Sequence, residues 1–173
     1  MSDRKTLLLA ALLVAGCSAT DAQPRLDINR ASMVIRGTAV ELDAAIAFRP
    51  SPTQLQALDH GVPLSFRVTV SGDGKLPPAR LRLVLRYFPL SRRYQLRVVP
   101  GTDRSFALRG YLLDALQRLS LPLTHDPCTG IGSCRVQVQF DYSGLPGALR
   151  LPALVRPAWR VPKAQIAVRI DAA

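Results

Sequence analysis

The chain has 173 residues, of which 23 are Lys or Arg and 12 are Asp or Glu, so its formal net charge at pH 7 is +11. A chain of this length is the size of one domain with one hydrophobic core, and its sequence has no internal repeat or low-complexity tract. In a cytoplasmic protein such a charge would point to nucleic acid. The export signal at the start of the chain excludes that partner.

The first residues have the pattern of a bacterial export signal. A short polar start, Ser2–Lys5, precedes an uncharged run of mainly Leu and Ala, Thr6–Ala15, which matches the first two regions of a secretory signal. The run is too short to cross a bilayer, which needs about 20 apolar residues. It closes as VAGC, with Cys17 last, and this resembles the lipobox of bacterial lipoproteins. The resemblance implies cleavage before Cys17 and lipidation of its thiol; the alternative is a chance thiol beside an ordinary cleavage site.

Cleavage before Cys17 divides the chain into a signal peptide at residues 1–16, a lipidated tether at residues 17–24 and a single β-rich domain at residues 25–173. Because one acyl chain holds a protein on a membrane only marginally, several chains on one cysteine make the anchor durable. Ser18 follows the cysteine where lipoproteins retained in the inner membrane usually carry Asp, and this likeness favours the outer membrane. We therefore expect a periplasm-facing domain attached to the membrane through its amino-terminal lipid.

Alternating apolar and polar residues predict a series of half-buried strands. The clearest is Val62–Val70, in which every second residue is a large apolar one. The same two-residue period recurs, in chain order, in Val40–Phe48, Arg80–Phe88, Arg93–Val99, Arg135–Tyr142 and Ala164–Asp171. One apolar and one polar face per strand is typical of antiparallel sheets that cover a core with one side.

Two segments carry helical signals. Ser51 is a good N-cap and Pro52 suits the first helical position, so a short helix is predicted from there to Gly61. In Tyr111–Leu119 the leucines form one helical stripe that we expect in the core, and Pro122 follows as a stop signal. Many strands with one or two short helices predict a mainly β fold, a single antiparallel β-sandwich-like domain.

The cysteines other than Cys17 form a closely spaced pair. Cys128 and Cys134 flank a short turn with two glycines, and in an oxidising periplasm an even pair favours a disulfide. The alternatives are a redox dithiol or a metal site. The spacing is not that of a Cys-x-x-Cys motif, and the chain offers only His60 and His125 as histidine ligands. We predict a structural disulfide, no metal site and no cofactor.

Five arginines fall on the polar faces of two consecutive predicted strands, Arg80, Arg82, Arg86, Arg93 and Arg97. If Phe88 pairs with Arg93, the charges are staggered and the face is simply solvated. A shift by two residues instead sets Arg86 against Arg93. The same shift sets Arg82 against Arg97, and because opposed like charges are unfavourable, an anion would then be needed. The sequence leaves both registers open, and a GC-rich genome alone would also account for the abundance of Arg.

The sequence does not point to catalysis. A Ser-His-Asp or Cys-His site needs a histidine oriented by an acid. His60 and His125 have aspartate neighbours in the chain, Asp59 and Asp126, but adjacency does not provide that geometry. With one Glu in the chain, paired carboxylates for glycoside hydrolysis are not indicated. The stretch SGDGK at residues 71–75 is predicted to be a turn between strands and not a phosphate-binding loop.

Four stretches carry a family resemblance: LDHGVPLSFRVTV, LRYFPLSRRYQLRV, SFALRGYLLDALQRLSLPL and GALRLPALVRPAW. In this order they resemble DUF4390, a proteobacterial family defined only as a domain of unknown function, from about Val40 to Trp159. The resemblance implies an exported or membrane-anchored protein with no established activity, often encoded beside a nitrogen-type sensor kinase. The chain departs from the family at Phe88, where many members carry histidine, and in its cysteine pair and lipobox.

These observations predict a lipid-anchored envelope protein that is a binding or accessory module and not an enzyme. Its expected partners are the membrane, through the lipid on Cys17, and another envelope component or a neighbouring sensor. The alternative function is a carrier or sensor for an anionic ligand, a lipid or lipopolysaccharide, bound by the Arg80–Arg97 hairpin. An envelope hydrolase is the least supported of the three.

Overall fold

The structure is a computed structural model that describes residues 22–36, 39–74, 76–128 and 133–169. The strands in these segments are β1 (Arg25–Arg36), β2 (Ala39–Arg49), β3 (Leu64–Gly72), β4 (Ala79–Phe88), β5 (Arg93–Val99), β6 (Asp103–Phe106), β7 (Leu119–Leu123), β8 (Ser133–Phe140) and β9 (Ala164–Arg169). The helices are α1 (Pro52–Asp59), α2 (Arg109–Ala115) and α3 (Gly147–Val155), with short 3₁₀ helices at Tyr142–Gly144 and Pro157–Trp159.

The strands form two antiparallel sheets. The smaller has the order β1-β2-β7, and the larger, of six strands, has the order β6-β5-β4-β3-β8-β9. Apolar residues of both sheets join those of α1, α2 and α3 in one continuous buried core. The predicted mainly β, antiparallel, sandwich-like fold is therefore confirmed, with a third helix, α3, beyond the one or two short helices predicted.

The predicted strands reappear as β2, β3, β4, β5, β8 and β9. The carboxyl end of the last predicted strand, residues 170–171, lies outside the described residues, and so does residue 75 of the predicted SGDGK turn. The earlier part of that stretch differs from the prediction, because Ser71 and Gly72 still belong to β3. Tyr142, predicted at the end of a strand, instead begins a 3₁₀ helix.

The helix at Pro52 is confirmed, and Ser51 forms a capping box with Gln54. The Ser51 hydroxyl accepts from the Gln54 backbone N–H at 3.1 Å, and the Ser51 N–H donates to Gln54 Oε1 at 3.1 Å. The helix ends at Asp59. The backbone N–H groups of the next two residues, His60 and Gly61, donate hydrogen bonds to carbonyl oxygens in its last turn.

The second predicted helix was too long. α2 ends at Ala115, and Leu119, the last leucine of the predicted stripe, begins β7. Pro122 lies inside β7 and is not a stop signal. It is tolerated there because β7 is an edge strand of its sheet. Among the described residues, no helix is long and apolar enough to cross a membrane.

Candidate functional site

The β4–β5 hairpin has the staggered register. Phe88 lies opposite Arg93 and Arg86 lies opposite Gln95. Further along the hairpin, Arg97 faces Val84. The opposed arrangement, in which Arg86 would meet Arg93, does not form, so the arginines of β4 and β5 do not lie opposite one another.

Three of the five predicted arginines nevertheless line one cavity, on the face of the six-stranded sheet that points away from the core. We call this cavity the groove; its residues are Pro63, Ser65, Arg82, Val84, Arg86, Phe88, Gln95, Arg97, Val99 and Gly144. Its volume of about 390 Å³ lies within the range of sites for small ligands. Arg80 and Arg93 belong to the same strands but do not line the groove.

Arg80 and Arg93 have other surroundings. Arg80 lies opposite Thr69 in the β3–β4 ladder. Arg93 Nε donates a hydrogen bond to Oγ of Ser105, in the edge strand β6, at 2.8 Å. The candidate anion-binding set from the sequence is thus divided, with three members in the groove and two outside it.

The groove arginines differ in their counter-ions. Arg97 pairs with Asp103, with Nη2 2.8 Å from Oδ2, and Arg82 Nη2 lies 3.5 Å from Asp141 Oδ2. The guanidinium carbon of Arg86 instead lies 4.8 Å from the centre of the Phe88 ring, a cation–π contact. Within residues 22–36, 39–74, 76–128 and 133–169, Arg86 forms no ion pair.

Asp141 is the buried acid beside the groove, with 5% of its surface exposed. Its Oδ1 accepts hydrogen bonds from the Ser143 N–H at 3.1 Å and the Ser143 hydroxyl at 2.6 Å. Its Oδ2 lies 3.4 Å from Arg67 Nη2. Burial raises the pKa of this carboxyl, but the hydrogen bonds from Ser143 and the charges of Arg67 and Arg82 outweigh burial, so the pKa lies below its ordinary value of 3.8. Asp141 is therefore an anion at neutral pH.

Gly144 and Ser65 both line the groove and lie unusually close to each other. A Cβ at Gly144 would lie 2.5 Å from Ser65 Oγ and 2.9 Å from Ser65 Cβ. The backbone N–H of Asp141 donates to the Ser65 carbonyl at 2.8 Å. Only glycine allows the 3₁₀ segment at Tyr142–Gly144 to approach β3 this closely.

Asp141, Ser65 and Gly144 are not among the residues predicted from the sequence. Asp141 directly follows the last inward-facing residue of β8, Phe140, and an acid at a strand end facing a basic strand could have signalled the contact. Gly144 had no such signal, because the need for glycine arises from a residue 79 positions away in the chain, Ser65.

The other sequence-predicted residues lie away from the groove. Cys128 and Cys134 form a disulfide with Cα atoms 5.9 Å apart, within the usual range for disulfides, and both cysteines are buried. Cys17 lies outside the described residues. Among the described residues there is no cluster of three or more metal-ligating side chains.

The histidines have structural contacts. His60 Nδ1 lies 2.7 Å from the Gln56 carbonyl oxygen at the end of α1, and His125 Nε2 lies 2.9 Å from the Pro77 carbonyl oxygen. The neighbouring Asp59 accepts a hydrogen bond from the Tyr94 hydroxyl at 2.8 Å. Asp59 also pairs with Arg109.

Fold and groove together define a mainly antiparallel β domain with a basic concave site on one sheet. A family model described as domain of unknown function (DUF4390) matches residues 23–166, and the chain belongs to this family. Neither the curated proteins nor the solved structures contain a match to the chain.

Proposed function

We propose that the protein is a lipid-anchored component of the bacterial cell envelope and that its β domain binds a ligand without catalysing a reaction. The support for the anchor is the sequence, in which Cys17 closes an apolar run behind a polar start. The support for a binding role is the groove. Cleavage and lipidation at Cys17 would leave the domain facing the periplasm, with the outer membrane favoured by Ser18.

The groove favours a ligand with an apolar body and an anionic group. Val84, Val99 and Phe88 give it apolar surface, and Arg86 contributes a charge that no carboxylate neutralises within the described segments. Asp141 is shared by Arg82 and Arg67 and Asp103 pairs with Arg97, so these three arginines and Arg86 leave two positive charges unbalanced. Such a site would hold the anionic group at Arg86 and the apolar body along the hairpin. Lipids and lipopolysaccharide of the envelope have this chemistry.

The test uses octyl phosphate as the probe. The mature lipoprotein is reconstituted in phosphatidylcholine nanodiscs, and the probe is titrated by calorimetry, with empty nanodiscs as the blank. Octyl glucoside, which has the same chain and no charge, tests whether the anion matters. We expect octyl phosphate to bind, octyl glucoside to bind more weakly, and Arg86→Gln to weaken octyl phosphate about tenfold.

Arg80→Gln is the matched control, because Arg80 lies on the same strand and outer face but outside the groove. It removes the same charge and should leave the affinity unchanged. Equal losses in the two variants would show that net charge alone attracts the probe. Absence of binding to the wild-type protein would contradict the ligand class.

A further inference from the structure

A second, wider cavity lies where the chain enters the domain. It has a volume of about 1010 Å³, and its lining includes Pro24, Arg25, Arg49, Tyr142 and Arg160. We call it the basal cavity. We propose that its three arginines, Arg25, Arg49 and Arg160, bind the phosphate headgroups of anionic phospholipid and so orient the domain on its membrane. This inference rests on the proposed lipid anchor but concerns a different site from the groove.

Two of the three basal arginines form a like-charged pair across neighbouring strands, which the arginines of β4 and β5 do not. Arg25 lies directly opposite Arg49 in the β1–β2 ladder, an arrangement that is unfavourable without a counter-ion. Arg160 lines the same cavity. All three side chains are exposed, and none forms an ion pair with any residue that the structure describes. The pair therefore gains from an external anion.

The basal cavity lies at the start of the domain, close in the chain to the proposed lipid on Cys17, so membrane phospholipid is the expected source of that anion. From Cys17 to Pro24 the chain advances seven residues, which span at most about 25 Å when fully extended. A lipid on Cys17 would thus hold the basal cavity near the headgroups. Attraction between basic side chains and an anionic surface acts over about a Debye length, and a lipid with a basic patch is a common two-part anchor.

Exposed apolar side chains lie near one of these arginines, Arg160. Arg160 Nη2 is 3.5 Å from the carbonyl oxygen of Val155, the last residue of α3. Val155 is 67% exposed and its neighbour Leu154 is 55% exposed. Exposed apolar residues next to cationic ones are the composition of a surface that rests at the headgroup boundary. The end of α3 therefore extends the docking surface.

The fluorescence of Trp159 can report this docking. Trp159 is the only tryptophan, it is 3% exposed, and it directly precedes Arg160. Energy transfer from Trp159 to dansyl-phosphatidylethanolamine in the vesicle measures how close the basal cavity lies to the membrane. The full lipoprotein is reconstituted into phosphatidylcholine vesicles with or without phosphatidylglycerol, and flotation records whether the lipid anchor holds.

We expect more transfer on vesicles with phosphatidylglycerol, a difference that salt removes. Arg25→Gln, Arg49→Gln and Arg160→Gln together should lower transfer to the level on neutral vesicles, because each arginine shifts the docked population about fivefold. The matched control is Arg80→Gln, Arg93→Gln and Arg135→Gln, a triple with the same charge change on the outer face of the larger sheet. It should keep the difference.

The outcomes separate the two proposals. Failure to float would contradict the lipid anchor itself. Flotation with equal transfer on both vesicles, or equal losses in the two triple variants, would overturn the basal docking site and leave the anchor standing. Circular dichroism of each variant checks that the fold is retained.

Discussion

Arg67 and Arg82 lie directly opposite each other across β3 and β4, and the buried carboxylate of Asp141 lies within 3.5 Å of both guanidinium groups. The pair is stable because the acid comes from a third element, the turn after β8. The basic face of the larger sheet thus contains its own counter-ion. The opposed pair in the basal cavity is different. Neither Arg25 nor Arg49 forms an ion pair with an acidic residue among the described residues.

Asp141→Asn should lower the free energy of unfolding by about 2 kcal/mol, because it removes a charged hydrogen-bond acceptor and leaves two opposed arginines without a counter-ion. Denaturant unfolding at pH 7 measures the loss. The folded pKa of Asp141 is lowered, so its stabilisation is present above the ordinary pKa and is lost as the pH falls through the lowered value. The difference between wild type and variant should therefore shrink below about pH 3.8.

Asp103→Asn is the comparison for that variant. It also removes an arginine partner, but the Asp103–Arg97 pair is exposed, and solvent screens exposed pairs so that they add little to stability. If both substitutions cost the same, burial of Asp141 would have no special role in stabilising the basic face.

Gly144→Ala should cost about 1–3 kcal/mol in the free energy of unfolding, because the new Cβ would overlap Ser65. Adding Ser65→Gly removes both overlapping atoms and should recover part of that loss. A double-mutant cycle measures the recovery. Additive losses from the two substitutions would show that the close approach does not constrain this wall of the groove.

Tyr94 links β5 to the end of α1 and should make stability depend on alkaline pH. Burial, followed by its hydrogen bond to Asp59, raises its pKa from 10.0 to about 12. The folded protein therefore holds the Tyr94 proton more tightly than the unfolded chain does. The resulting stabilisation is fully present below pH 10.0 and is lost as the pH rises towards 12. Tyr94→Phe should therefore be less stable than wild type at pH 8, and the difference should vanish by about pH 12. A difference that persists unchanged would contradict this role.

The disulfide closes a short loop, with a sequence separation of 6 between Cys128 and Cys134. Replacing both cysteines by Ser should lower the free energy of unfolding by about 2.4 kcal/mol, the chain-entropy value for such a loop. Thermal unfolding of the oxidised, reduced and double-variant proteins measures it. A reduced wild type as stable as the oxidised one would show that the loop is held without the bond.

Strands with uninterrupted alternation were predictable, and those with interruptions were not. β3 and β4 alternate cleanly and were predicted nearly in full. β1 was missed because its register shifts between Ile28 and Arg30, and such a bulge moves the apolar residues to the opposite phase. β7 was missed because Leu119 continues the spacing of the α2 leucines, so one residue fits both a helical and a strand pattern.

The candidate site was predictable only in part, for a similar reason. Alternation assigned Arg82, Arg86 and Arg97 to one face, but the register that separates them depends on the hairpin turn. The acid that neutralises Arg82 and the glycine that shapes the groove come from residues distant in the chain. The basal pair, Arg25 and Arg49, was missed together with β1.

Mass spectrometry of the amino-terminal peptide, from protein produced in its own envelope and fractionated with the membrane, tests the central proposal most directly. We predict that Cys17 is the first residue and carries acyl chains, and that the protein is in the membrane fraction. A mature chain that begins elsewhere, with Cys17 bare or absent and the protein in the soluble periplasmic fraction, would contradict the lipid anchor.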